Sequence, residues 1–201
     1  MSGLVDTDRV LAVARRMVGD AARWSVEDVG GILICGNGGS AEQANHFAAE
    51  LVGGYERHER PAINCVSLAC NPAILTALAN DYSFEQVFAR QVYAHRHASL
   101  LIVLTTSGRS ANIIEAARAA ARSGMGLIAL TSTKAPQLVR DAFSAEFADT
   151  PDRDGLPAYC EIAVDEAKTS TIQEAHLELL HMLAEAAELA VVSSRESATA
   201  H

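Results

Sequence analysis

A histidine and a glutamate four residues apart, His46 and Glu50, lie in a segment with helical character. On an α-helix this spacing places both side chains on one face about a turn apart, where they could bind one metal ion. A second pair, Gln173 and His181, lies in the long C-terminal segment. The two are eight positions apart, which corresponds to roughly 80° around a helix axis, so they converge on a site only if the helix faces it.

Imidazole, carboxylate and amide oxygen ligands together suit a divalent metal, and zinc is the ion we favour. Taken alone, a His–Glu pair at this spacing is more often a surface ion pair or hydrogen bond. Spacing does not show that the two helices meet. His176, three residues after Gln173, is a competing ligand, but we favour a core or interface histidine at that position.

Two turns rich in glycine and hydroxyl groups could bind a phosphate. Residues 36–40 (Gly-Asn-Gly-Gly-Ser) and 105–110 (Thr-Thr-Ser-Gly-Arg-Ser) each follow an apolar run and precede a helical segment. Backbone N–H groups at a helix N-terminus favour anions, and glycine lets the backbone approach one closely. Together the turns predict a neutral cradle for one phosphate. The alternative is that Ser40 and Ser110 are only helix N-caps.

The first turn also matches the dinucleotide-binding pattern Gly36-x-Gly38-x-x-Ala41. That pattern expects an acidic residue about 20 positions further on, at the end of the second strand. Residues 68–71 (Leu-Ala-Cys-Asn) contain none, and the chain has no Walker lysine motif. A nicotinamide enzyme and a nucleoside triphosphate site are both disfavoured.

Short apolar runs alternate with helical segments along the chain, which is typical of a parallel sheet covered on both faces. The pattern predicts strands over residues 32–35, 63–68, 100–105, 126–131 and 160–164. It predicts helices over residues 7–29, 41–51, 72–80, 84–95, 110–122, 134–140 and 169–192, with an exposed loop over 145–157. The fold class is therefore α/β, a three-layer sandwich with a central parallel sheet.

Length and charge limit the function classes. The 201 residues fit one domain, and a net charge of −9 argues against a nucleic-acid partner, which needs clustered basic side chains. No basic stretch followed by an apolar run begins the sequence, and no apolar segment approaches the ~18 residues needed to span a bilayer. We expect a cytoplasmic protein with reduced cysteines and no membrane partner.

The same residues, in the same order, resemble those of the phosphoheptose isomerases, which are sugar isomerase (SIS) domain proteins. The resemblance runs from Gly30 to Glu188 and rests on five motifs. These are residues 36–40, residues 46–51 (His-Phe-Ala-Ala-Glu-Leu), Asn80-Asp81, residues 106–112 and residues 172–181.

The resemblance implies a single flavodoxin-like SIS domain over residues 1–201, assembled as a homotetramer with active sites at subunit interfaces. The N-terminal helix (about 7–29) and the C-terminal helix (about 169–192) would pack in the oligomer. The implied reaction is the aldose–ketose isomerisation of sedoheptulose 7-phosphate to D-glycero-D-manno-heptose 7-phosphate, or to a mixture with its D-altro-type epimer, through an enediol. This reaction would feed nucleotide-activated heptose biosynthesis.

The family motifs also imply roles for individual residues. One Zn²⁺ per subunit would be held by His46, Glu50, Gln173 and His181. Glu50 would be the base for the carbon proton and His181 its acid–base partner. The substrate contacts would be Asn37, Gly38, Gly39, Ser40, Glu50, Asn80, Asp81, Thr105, Thr106, Ser107, Ser110 and Gln173.

Three positions depart from the family pattern. Gly54 stands where an arginine is usual, Ser170 where some members have an aspartate, and Thr105 where serine is common. Substrate identity is therefore less firmly indicated than the chemistry. The alternative is a non-catalytic SIS protein that binds a sugar phosphate or the bacterial replication initiator.

Overall fold

Within residues 7–26, 30–147 and 158–199, which the computed structural model describes, five strands form one parallel sheet. They are β1 (Ile32–Gly36), β2 (Cys65–Ser67), β3 (Leu100–Leu104), β4 (Gly126–Ser132) and β5 (Tyr159–Val164), in the order β2-β1-β3-β4-β5. Ile32 is paired with Cys65 on one side and with Leu100 on the other. This is the flavodoxin-like order, and its direction of growth reverses between β1 and β3.

Helices cover both faces of the sheet. They are α1 (Thr7–Val26), α2 (Gly39–Gly53), α3 (Pro72–Asp81), α4 (Gln86–Ala94), α5 (Ala111–Arg122), α6 (Leu138–Phe147) and α7 (Thr169–Thr199). Because side chains alternate along a strand, Ile32 and Ile34 pack with α1, α2 and α7, whereas Leu33 and Cys35 pack with α4, α5 and α6. The predicted three-layer α/β sandwich is confirmed.

Both boundaries of α6 differ from the prediction. The helix expected over residues 134–140 begins only at Leu138 and continues to Phe147, into the region predicted as a loop. Pro136 explains the late start, because proline disfavours helical geometry in the residue before it and has no N–H to donate. The rest of the predicted loop, residues 148–157, lies outside the described residues.

The second strand is also shorter than predicted, because two backbone N–H groups have partners outside the sheet. The N–H of Ile63 donates to the carbonyl of Leu51, and that of Asn64 donates to Ser25 Oγ. Ladder pairing with β1 therefore begins at Cys65 instead of Ile63.

The terminal helices pack against each other on one face of the sheet. A Cβ added at Gly19 of α1 would lie 3.0 Å from the Ala190 side chain of α7, so the glycine permits a close approach. The predicted N-terminal helix ends at Val26 in the described part, and the C-terminal helix continues beyond residue 192 to Thr199. Of the helices described, none has the length and apolar character to cross a membrane.

Helix α3 is apolar in sequence, yet none of its residues is fully buried. Asn71 caps its first turn by accepting hydrogen bonds from the N–H groups of Ala73 and Ile74. Ile74 is 39% exposed, and Tyr82 and Phe84 just beyond the helix are 57% and 61% exposed. These three exposed side chains, at and just beyond α3, form the apolar patch at α3.

Candidate active site

Helices α2 and α7 bring three ligand-type side chains together. His46 Nε2 lies 3.0 Å from Glu50 Oε1, and His181 Nε2 lies 3.5 Å from the same oxygen. The two imidazole Nε2 atoms are 3.1 Å apart. The sequence could not show whether α2 and α7 meet. In the structure they do meet, at His46, Glu50 and His181.

These three residues form a group that could hold a metal ion, and their donor atoms fit zinc. Donors bound to one tetrahedral zinc at about 2.0–2.1 Å lie roughly 3.3–3.4 Å from one another, close to the 3.0–3.5 Å separations observed. Each imidazole Nε2 carries at most one proton. Hydrogen bonds among the three side chains therefore leave some of their donors or acceptors without a partner inside the group. Glu50 Oε2 is buried and has no partner in the part of the chain that the structure describes, as expected of a site that a ligand completes.

Gln173, the fourth predicted ligand, lies two helical turns before His181, about 12 Å along the axis of α7. Its backbone carbonyl accepts a hydrogen bond from Gln43 Nε2 at 2.6 Å, and its Nε2 donates to Ser40 Oγ at 3.4 Å. A Cβ added at Gly39 would lie 2.9 Å from the same amide nitrogen. Gln173 thus contacts the first turn, and its role as a zinc ligand stays a prediction.

The two predicted phosphate turns lie side by side at the point where the strand order reverses. Asn37 Nδ2 donates to Asn112 Oδ1 at 2.9 Å, and Asn112 Nδ2 donates to Asn37 Oδ1 at 2.8 Å. Gly38, with φ of 57°, adopts the left-handed conformation that glycine tolerates. In sheets of this order, ligands bind in the crevice between these strand ends.

The simple N-cap interpretation of the two serines does not hold. Ser40 lies inside the first turn of α2, whose N-cap is Gly38. Ser110 occupies the N-cap position of α5, but its hydroxyl makes no capping hydrogen bond. The hydroxyl of Ser110 therefore remains available to another partner.

The second turn borders a cleft of about 210 Å³ that also reaches α7. It is lined by Thr106, Ser107, Arg109, Ser132, Lys134, Ala167, Thr169 and Ile172. Two basic side chains, Arg109 and Lys134, line this cleft, and Lys134 is paired with Asp165 at 3.2 Å. The predicted cradle of uncharged groups therefore has charged side chains along one side, and the first residues of α7 add a helix N-terminus to it.

Thr105, also predicted as a contact, is buried and its Oγ1 accepts a hydrogen bond from the N–H of Gly108 at 3.1 Å. It therefore shapes the second turn from within. Ser107 is exposed and accepts from the N–H of Arg109 at 3.3 Å, which leaves its hydroxyl proton free to donate.

Asn80 and Asp81 are not joined to these groups within the described chain. Both are exposed at the end of α3, where Asn80 Nδ2 donates to Asp81 Oδ1 at 2.9 Å. No hydrogen bond among the described residues links them to the turns or to the histidines. They lie next to the exposed apolar patch at α3.

His176 is the core histidine that we favoured. It is fully buried, and its Nε2 donates to the backbone carbonyl of Thr131 at 3.1 Å. Burial lowers the pKa of His176, and the hydrogen bond to Thr131 opposes this only in part. Nδ1 is buried without a partner among the described residues, so the ring is neutral in the folded chain.

Two neighbours of the histidines were missed from the sequence. The Tyr55 ring stacks on His181, with ring centroids 5.5 Å apart and an interplanar angle of 11°. Glu188, fully buried on α7, accepts hydrogen bonds from the backbone of residues 55–57 and from Arg60. The role of Glu188 depends on its burial and on bonds to backbone N–H groups, so the sequence carries no signal for it.

The departure at Gly54 has a local cause. Its φ is 125°, a conformation that side chains rarely adopt, and an added Cβ would lie 2.5 Å from His58 Nδ1. The arginine usual in the family would therefore be strained on this backbone. Ser170 is exposed in the first turn of α7.

Comparisons with known proteins agree with this architecture. The sequence profile of the SIS domain matches residues 11–132. The chain is 45% identical over 158 residues to a phosphoheptose isomerase from Laribacter hongkongensis, covering 78% of this chain and 74% of that protein. It is 36% identical over 194 residues to a phosphoheptose isomerase from Mycobacterium tuberculosis, covering 94% and 88%.

Two solved structures have the same fold. The phosphoheptose isomerase from Francisella tularensis superposes with a TM-score of 0.73 at 30% identity, covering 91% of this chain and 89% of that one. The phosphoheptose isomerase from Neisseria gonorrhoeae gives a TM-score of 0.69 at 33% identity over the same shares.

Proposed function

Because the chain belongs to the phosphoheptose isomerase family of SIS-domain proteins, we propose that it interconverts the ketose and aldose forms of a seven-carbon sugar phosphate. The specific reaction is the conversion of sedoheptulose 7-phosphate to D-glycero-D-manno-heptose 7-phosphate. The observation that carries this proposal is the convergence of His46, Glu50 and His181, on the same helix pair that begins beside the phosphate turns.

The distance between the two parts of the site supports a long substrate. Ser40 lies six to ten residues before His46 and Glu50 on α2, which corresponds to about 9–15 Å along the helix. An extended seven-carbon chain with bonds of about 1.5 Å spans roughly 8 Å, before its phosphate ester is added. A heptose phosphate can therefore place its phosphate at the turns and its C1–C2 end near the histidines.

The isomerisation moves a proton between two neighbouring carbons and exchanges the protonation of their oxygens. In the proposed mechanism Glu50 removes the proton from one carbon and returns it to the other, through an enediol. His181, 3.5 Å from Glu50, moves the proton between the two oxygens. Positioned carboxylate and imidazole groups are common proton carriers in such steps, each contributing roughly 10²–10⁴-fold.

His46, Glu50 and His181 would hold the metal ion, with Gln173 as the proposed fourth ligand. A bound zinc would act as a Lewis acid that stabilises negative charge on the substrate oxygens. Thr106, Ser107, Ser110 and the N–H groups of the first turn would bind the phosphate, and Lys134 adds a positive charge at the cleft.

The test is incubation of the purified chain with sedoheptulose 7-phosphate, with and without a chelator, followed by NMR of the products. We expect an aldoheptose 7-phosphate, formed more slowly after chelation and restored by zinc. Binding without turnover in any metal would instead support the alternative, a non-catalytic sugar-phosphate protein. Turnover that a chelator does not affect would support the isomerase activity but contradict a role for a metal ion in it.

A homotetramer with active sites at subunit interfaces is part of the proposal. The apolar patch at α3 supports it, because large apolar side chains exposed close together in sequence are typical of surfaces that another subunit covers. Asn80 and Asp81 at the edge of this patch would then reach a neighbouring subunit's site. Mixed oligomers of a Glu50→Gln chain and an Asp81→Asn chain should regain activity that neither variant has alone.

A further inference from the structure

The carboxylate of Glu188 is fully buried and accepts four hydrogen bonds. Oε1 accepts from the N–H of Tyr55 and from Arg60 Nε, each at 2.8 Å. Oε2 accepts from the N–H groups of Glu56 and Arg57 at 3.0 and 3.1 Å. A carboxylate with this many donors ties the segment of residues 55–57 to the side of α7.

The same ion pair reaches the end of α2 through Arg60. Arg60 Nη2 donates to the backbone carbonyl of Glu50 at 2.8 Å, and Nη1 donates to the carbonyl of Pro61. The Arg60 side chain is 1% exposed, so these contacts are shielded from water. Glu188 is thus connected to the backbone of one candidate catalytic residue.

Glu188 is also connected to His181. The two lie seven residues apart on α7, about 10.5 Å along the helix and on nearly the same face. Tyr55, whose N–H bonds to Glu188, lays its ring against the His181 imidazole with an interplanar angle of 11°. The imidazole is 34% exposed, and among the described residues it contacts two rings, that of Tyr55 by stacking and that of His46 edge-on.

We propose that Glu188 and Tyr55 are positioning residues for His181: Glu188 holds residues 55–57 against α7, and the Tyr55 ring holds the imidazole with Nε2 towards Glu50 and His46. This inference rests on the proposed function. It adds two residues that orient His181, and neither belongs to the five motifs. Neither residue is one of the three that could supply a donor atom to the metal. Each acts by restricting where His181 can point.

The charge state of Glu188 agrees with this role. Burial alone would raise the pKa of Glu188, but hydrogen bonds from the Tyr55 N–H, from Arg60 and from the Glu56 N–H outweigh it and hold the pKa below its ordinary value. The carboxylate is therefore ionised whenever the chain is folded near neutral pH. A neutral amide in its place would accept fewer of the four hydrogen bonds.

The test compares zinc affinity, kcat, KM and melting temperature for four variants. Tyr55→Leu removes the ring, Tyr55→Phe keeps it, and Glu188→Gln weakens the anchor. Glu146→Gln is the control, because it breaks the exposed Arg122–Glu146 pair on the opposite face of the sheet. Zinc affinity is measured by competition with a chelating indicator, well below the melting temperatures.

We expect Tyr55→Leu and Glu188→Gln to weaken zinc binding about tenfold or more, since groups that orient metal ligands typically affect affinity 10–100-fold. Their kcat should fall while KM changes little, because the phosphate turns are intact. Tyr55→Phe and Glu146→Gln should match the parental chain.

Lower melting temperatures with unchanged zinc affinity and kcat would show a purely structural role and overturn the proposal. Tyr55→Leu leaves the buried ion pair in place, so it answers the question even if Glu188→Gln does not fold. A parental chain with no zinc affinity would overturn the metal site and this proposal together. If the parental chain binds zinc, and Tyr55→Leu and Glu188→Gln match it in zinc affinity and kcat, the positioning role alone would be overturned.

Discussion

Asn37 and Asn112 exchange two amide hydrogen bonds, of 2.9 and 2.8 Å, across the end of the sheet. One residue belongs to the turn after β1 and the other to the first turn of α5. The pair therefore joins the two segments proposed to bind phosphate. The pair uses one N–H and one lone pair of the Asn37 amide, so one N–H and one lone pair remain for a substrate.

Replacing Asn112 with alanine should loosen both turns at once. The change leaves the Asn37 amide without its partner, at a cost of about 1–3 kcal/mol in the free energy of unfolding. Thermal melting should show this loss, and KM for the sugar phosphate should rise several-fold while kcat changes less. An unchanged KM would mean that the pair is not needed to align the turns.

Replacing Glu50 with glutamine should abolish proton transfer without unfolding the chain. The amide keeps the shape of the side chain but is not a base, so kcat should fall by roughly 10²-fold or more. Exchange of the substrate's carbon-bound proton with solvent, followed by NMR in D₂O, should stop as well. Substantial remaining exchange would contradict the assignment of Glu50 as the base.

Replacing His46 with alanine tests the metal site separately. Loss of a direct ligand should weaken zinc binding by more than about 100-fold, beyond the effect of residues that only orient ligands. The measurement is the metal content after dialysis against a weak chelator. His58→Ala is a matched control, because His58 is an exposed histidine outside the group. Equal zinc content in both variants would exclude His46 as a ligand.

The cleft at the second turn predicts two separable effects on phosphate binding. Ser107→Ala removes a donor to a charged group, worth about 1.5–3 kcal/mol, so KM should rise roughly tenfold or more with little change in kcat. Lys134→Met should raise KM only several-fold and reduce its dependence on salt, because Lys134 is largely exposed and screened. Arg118→Met, on the exposed side of α5, should leave KM unchanged; a similar rise there would point to a general charge effect.

The buried His176 should make the apo-protein sensitive to mild acid. Its folded-state pKa is lowered below the ordinary 6.5, so the unfolded chain binds the proton first. Stability is therefore full above pH 6.5 and is lost as the pH falls below it, by at most about 1.4 kcal/mol per pH unit. Thermal melts in chelator across this range should have a flatter slope for His176→Leu than for the parental chain. Parallel curves would contradict the assignment.

The parts of the fold that follow local rules could be predicted from the sequence. Strands such as residues 100–104 are buried on both faces and are therefore continuously apolar, and glycine-rich turns mark where they end. The start of α6 was misplaced because the effect of Pro136 on the preceding residue outweighs the helical pattern of the surrounding residues.

The parts of the site that depend on tertiary contacts could not be predicted. His46 and Glu50 share one helix, but their approach to His181 depends on how α7 crosses the sheet. Lys134 reaches the cleft only because β4 lies next to β3 in the sheet order. Glu188 acts largely through backbone N–H groups, which are present at almost every position and therefore leave no pattern in the sequence.

The contact between Gly39 and Gln173 has an evolutionary consequence. An added Cβ at position 39 would lie 2.9 Å from the amide nitrogen of Gln173, at the flexible end of that side chain. Homologues with a small side chain at 39 can therefore keep glutamine at 173, but its amide must move away from the first turn. Glycine at 39 is thus the residue that lets the amide of Gln173 stay against this turn.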